Sequence, residues 1–229
     1  MSWLKNLFSG NEGAAPAKTP MPPLAEQLRN YPPNIPPFAC AQSALTPAKQ
    51  DANLTHLLDS RKERLRLITD LLEHNGVDAA AMLDPKAAVS AVITAAGRID
   101  DWLKQESGSL AQILPAAQGT EAFYHYQKSD RAGEDIIFTL AADLALLEGE
   151  AVRLRDPRFS WQVNRAKHLA RTFHAKRPCL IRPAGPGEDS DYILDFDFAM
   201  VDILYDRITG QPPLRHYGTT LGQIITLGR

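Results

Sequence analysis

The 229-residue chain lacks any apolar run near the roughly 18 residues that cross a bilayer. Cysteine is scarce: Cys40 and Cys179 cannot build a disulfide framework and suit a reducing, cytoplasmic compartment. Charge of one sign is lacking too. A net charge of −2 excludes nucleic-acid binding by bulk charge. No secretory signal is expected, because Lys5 and Asn6 interrupt the apolar residues of MSWLKNLFSG. Histidines at 56, 74, 125, 168, 174 and 216 form no His-x-x-x-His pair, and no Cys-x-x-Cys occurs. A Gly-x-Ser-x-Gly elbow and a Gly-x-x-x-x-Gly-Lys loop are missing as well. No catalytic set, metal site or cofactor is therefore expected.

What is there is an ordinary globular composition, 44% apolar, with uneven proline. Nine of the 17 prolines fall in the first fifty residues. This divides the chain into a proline-rich arm over 1–45 and one globular domain over 46–229. Trp3, Leu4, Leu7 and Phe8 give the arm a short amphipathic helix, too short to stand alone. Docking on protein is its expected use: the body, a partner, or a second copy through self-association. Membrane binding is disfavoured, since Lys5 is the only cation in the first ten residues and stable anchoring takes two signals. Leu24 to Tyr31 reads as a helical turn or two, ended by the prolines that follow.

The body is helical to about residue 155. Thr46-Pro47 starts a helix and Asn75-Gly76 stops it. Arg61, Lys62, Arg64 and Arg66 are assigned to its solvent side. Asp84-Pro85 repeats that start, ahead of a seam of Val89, Val92, Ala96, Ile99 and Leu103. Residues 115–134 read as a loop, with an edge strand weakly signalled at 123–126. A third helix runs from about Asp135 to Arg155, with Gly149 inside it where another backbone crosses closely. Pro157 ends it. The period then changes: Phe159, Trp161 and Val163 alternate, Pro178 to Pro183 and Tyr192 to Leu194 read as further strands, and Asp195 or Asp197 caps a closing helix. Gln223 to Leu227 reads as one more strand. The fold class is α+β, a mainly helical body with a small C-terminal sheet and a closing helix.

Charge changes sign late in the chain. Arg153 to Arg182 carries nine basic residues against Asp156; Glu188 to Asp206 carries seven acids and no lysine or arginine. Mutual pairing at the surface is the simplest reading, each pair worth at most about 1 kcal/mol. A partner-binding surface is the functional one, with Arg165, Lys167, Arg171, Asp195 and Asp197 as candidate binding residues. Aromatics among the arginines would also suit stacking on nucleic acid, but on alternate strand positions they are more simply core. Asp195 and Asp197 have a spacing that can share a divalent ion, yet a helix cap explains at least one of them. Cys179 reads as a buried, inert thiol although Arg177 and Arg182 are near in sequence. Glu148 and Glu150 oppose their helix dipole and are assigned partners in the basic segment.

Asp101-Trp102-Leu103, Asp143 to Glu150 with its Gly149-Glu150 pair, Arg155-Asp-Pro157, Trp161, Arg177-Pro-Cys-Leu180 and Leu194-Asp195 recur as an ordered pattern. Over about residues 99–207 this resembles small uncharacterised bacterial proteins in which a helix, a Gly-Glu pair and a tryptophan-bearing strand follow one another. Some immunity proteins of toxin systems have similar units. The resemblance implies a fold more than an activity; together with the missing catalytic motifs and the bipolar charge segment it leads to the expectation of a non-enzymatic protein that binds another protein, as an immunity or accessory protein does. The rival expectation is a hydrolase or transferase assembled from Asp195, Asp197 and His168 or His174.

Overall fold

The computed structural model describes residues 21–115, 120–211 and 215–227. The apolar face of Trp3 to Phe8 lies outside them. Helix α1 (Leu24–Arg29) buries Leu24, Ala25 and Leu28, and Tyr31 follows them into the core. The arm expected over 1–45 is thus, from Leu24 onward, packed on the body. Its backbone is tied down as well: Leu24 donates to Glu106, Ala25 to Ser109 and Asn34 to Thr139. A proline-rich segment has few amide donors, and these side chains take up several that remain.

Helix α2 (Pro47–His74) begins where Thr46 accepts from the Lys49 amide and ends at Asn75, with Gly76 at φ +74°. Its buried face holds Ile68, Leu71 and Leu72, and also Arg64, which sequence spacing assigns to solvent. Helix α3 (Ala80–Leu83) precedes α4 (Val89–Gln105). Asp84-Pro85 does not start α4. The Asp84 side chain accepts from Lys86 and its carbonyl from Ala87, closing a turn that delays the helix to Val89. The Val92, Ala96, Ile99, Leu103 seam is buried as expected. A short α5 (Ser107–Leu110) follows.

Residues 120–128 are helix, not loop or strand: α6 (Thr120–Lys128). Phe123 and Tyr126, three apart, face inward with Ala122 and Gln127, while Tyr124 stays exposed. Helix α7 (Ile137–Arg155) is the axis of the molecule. Every residue from Ile137 to Val152 is buried, since α2, α3, α8 and α9 pack around it.

After Pro157 come three antiparallel strands in the order β1 (Ser160–Val163), β2 (Pro178–Arg182) and β3 (Tyr192–Leu194). Trp161 pairs with Leu180, and Leu180 with Leu194, so one face presents these three to the core. Gly149 is needed by a side chain, not a crossing backbone: a Cβ there would lie 2.4 Å from the Trp161 ring. Helix α8 (Phe196–Thr209) is capped by Asp195, which accepts from Phe198, and stops at Gly210 with φ +70°. The tail forms α9 (Thr219–Leu227) instead of a strand; Leu221 and Ile224 are buried with the exposed Gln223 between them, a helical spacing. The fold is mainly helical α+β, and among the described residues no helix is long and apolar enough to cross a membrane.

Candidate functional site

The connection from β1 to β2 carries the expected basic residues. Arg165, Lys167, His168 and Arg171 are all exposed on it. Its base is pinned by the buried Asn164, whose amide donates to the Arg177 carbonyl, whose carbonyl accepts from Lys176, and whose side chain bonds His174 and Ala166. Arg165 pairs with Asp51 at 2.6 Å. Among the described residues Lys167 and Arg171 have no ion-pair partner, and the two charged segments pair at Arg182–Glu188 and His174–Asp195. Arg153 and Arg158 pair instead with Glu150 and Asp156, which leaves Lys167 and Arg171, beside the paired Arg165, as the exposed cations of the connection.

Asp195 and Asp197 part company at the start of α8. The Asp195 side chain is buried; one oxygen caps the helix and the other lies 2.9 Å from His174 Nδ1. That hydrogen bond raises the His174 pKa. His168 is exposed and takes no part. Asp197 turns the other way, to within 3.8 Å of Arg131 Nη2. Two carboxylates two residues apart on a helix start do not converge, so they share no ion. Among the described residues no group of three or more His, Cys, Asp or Glu side chains is placed to hold a metal. Cys179 is fully buried, its Sγ facing the His174 carbonyl and not the ring, and burial pushes its thiol up. The dyad therefore has no activated sulfur beside it.

Asp197 leads instead to a cavity of about 60 Å³ between α2, α6, α7 and the sheet. Gln127, Arg131, Arg177 and His56 line its polar side; Leu57, Leu146 and Trp161 line its apolar side. Both guanidinium groups lie over the Tyr126 ring, at 4.4 and 6.0 Å, and Arg177 also over Phe123 at 5.8 Å. Burial raises the Asp197 carboxyl, with Arg131 opposing; burial and Arg131 lower His56. The backbone around it is unusual. Among the described residues the only non-glycine positions with positive φ are Arg131, at 61°, and Lys176, at 64°, next to Arg177. Ser129 and Thr139 hold the Arg131 peptide in that conformation.

Sequence reasoning named Asp197 but missed Gln127, Arg131 and Arg177 as a set. Arg131 fell in a presumed loop, and Arg177 was one of nine basic residues. It also missed the Arg64–Asp143 ion pair, which is bidentate and buried. Asp143 further accepts from Tyr31 at 2.8 Å and Asn34 at 3.1 Å. Of the two glutamates near the end of α7, Glu150 has the expected partner: it bonds Arg153, and accepts from Trp161 Nε1 at 2.7 Å. Glu148 does not; it lies buried beside the Leu221 amide at the start of α9, and burial raises its pKa to about 7. No family model, curated protein or solved structure matches the chain.

Proposed function

We propose that the chain is a non-enzymatic binding protein of the bacterial cytoplasm whose partner is another protein, in the manner of an immunity or accessory protein. The supporting observation is the β1–β2 connection: a cationic surface pinned at its base by Asn164, with Lys167 and Arg171 exposed and without an ion-pair partner among the described residues. Charges held in place before binding steer association and lose little entropy on contact. Self-association through Trp3, Leu4, Leu7 and Phe8 belongs to the same proposal and concerns residues outside those described.

The His174–Asp195 pair is the observation that favours the rival, a hydrolase or transferase. It is weakened by the direction of Asp197, which leaves the dyad for the cavity, and by the closed position of Cys179. The test is recovery of partner from the native cell by tagged wild type and by Arg165→Glu, Lys167→Glu, Arg171→Glu combined. Folding is expected to stay intact while a protein held by the wild type is lost. Equal recovery by both, or recovery of nucleic acid in place of protein, contradicts the proposal.

A further inference from the structure

Among the described residues, four buried side-chain polar atoms that make no hydrogen bond sit together on Gln127, Arg131 and Arg177, while the Tyr126 hydroxyl is met by Asp197. Gln127 is the extreme case. It is 2% exposed, and neither its amide nitrogen nor its oxygen has a partner. Arg131 Nε and Arg177 Nη1 are donors in the same condition, and these three residues line one cavity. Buried donors left unmatched are costly, so something other than protein is expected to meet them.

Water is the ordinary candidate, and 60 Å³ holds on the order of four molecules. Charge argues for more than water. Two guanidinium groups face one carboxylate, Asp197, and the nearby Asp195 is already committed to His174 and the helix cap. The polar wall therefore carries one uncompensated positive charge, which a monoanion balances and a dianion over-balances. Leu57, Leu146 and Trp161 line the same cavity and suit a short hydrocarbon. Planar guanidinium donors match a planar carboxylate in geometry as well as sign.

We infer that this cavity binds the carboxylate of a small organic acid, with Arg131, Arg177 and Gln127 donating to it. The site reaches the base of the β1–β2 connection through Arg177, whose carbonyl accepts from Asn164, while Arg165, Lys167 and Arg171 do not line it. Its enclosed part, about 60 Å³, suits an acid of a few heavy atoms.

The test is thermal unfolding and calorimetric titration of the full chain with acetate and propionate, against chloride at equal ionic strength. At about a hundredfold excess over Kd the melting temperature should rise by about 5 °C or more. Arg177→Met should weaken binding at least about tenfold, the size of one charged hydrogen bond. Should that variant fail to fold, Gln127→Leu reads the same site: its ligand-free form should melt no lower than wild type, with the acid-induced rise reduced. Arg165→Glu, outside the cavity, should leave the rise unchanged. The inference is overturned if neither acid shifts the transition, if Gln127→Leu keeps the full rise, or if Arg165→Glu abolishes it. An equal or larger response to inorganic phosphate or sulfate overturns the carboxylate assignment.

Discussion

Two arginine clusters lie inside this molecule about the same helix, and they are finished differently. At Asp143, on α7, both oxygens are met by Arg64, Tyr31 and Asn34, and Arg64 has a nitrogen left for the Pro32 carbonyl. Near Ala142 and Leu146, Arg131, Arg177 and Gln127 keep donors with nothing to meet them. Burying a charge is tolerable when partners replace water, and the first cluster is such a closed set. It fastens the proline-rich segment to α2 and α7. The second is left open although Arg131 itself, and Lys176 next to Arg177, sit at positive φ. A group that is costly to bury and still unpaired is better explained by what it binds than by what it stabilises.

Trp161 offers the largest way to break the contrast, because it lines the cavity and also bonds Glu150. Trp161→Ala should cost about 3–5 kcal/mol in urea unfolding, from the lost packing and the exposed Glu150. An unchanged transition would remove Trp161 from the core. Glu148 sharpens the contrast as a third solution: a buried acid met by backbone amides and only weakly offset by Arg215, so that burial favours its neutral, protonated form. Its folded-state pKa, about 7, lies above the ordinary 4.5. The unfolded chain releases this proton first, so stability should fall as pH rises between those values, by roughly 3 kcal/mol in all. Glu148→Gln should lack that fall, as read from unfolding at a series of pH values. The smallest effect belongs to the surface: the triple charge reversal at 165, 167 and 171 should move stability by about 0.5 kcal/mol per residue or less. Circular dichroism melts check this.

The sequence made the long elements legible because their patterns are local. Thr46-Pro47 and Asn75-Gly76 bracket α2, and the alternation through Phe159, Trp161 and Val163 marks β1. Short elements were harder. Phe123 to Tyr126 satisfies a two-residue period and a helical one over so few positions, and packing against Phe198 and Phe173 decides for helix. Arg64 was illegible for another reason. Its burial depends on Asp143, 79 residues away, and no local pattern carries that pairing. The cavity gathers polar residues from α2, α6 and the turn after it, the β1–β2 connection and α8, so only Asp197 stood out among them as a candidate binding residue, through its helix-start position.

The most direct measurement is the unfolding free energy of Asp143→Ala beside Gln127→Leu in ligand-free buffer. The first variant leaves a buried guanidinium without its carboxylate and should lose about 3–5 kcal/mol. The second removes an amide that bonds nothing and should be neutral or stabilising. A loss at Gln127→Leu as large as that at Asp143→Ala would contradict the account, because the cavity would then be held together by the residue it is said to leave free.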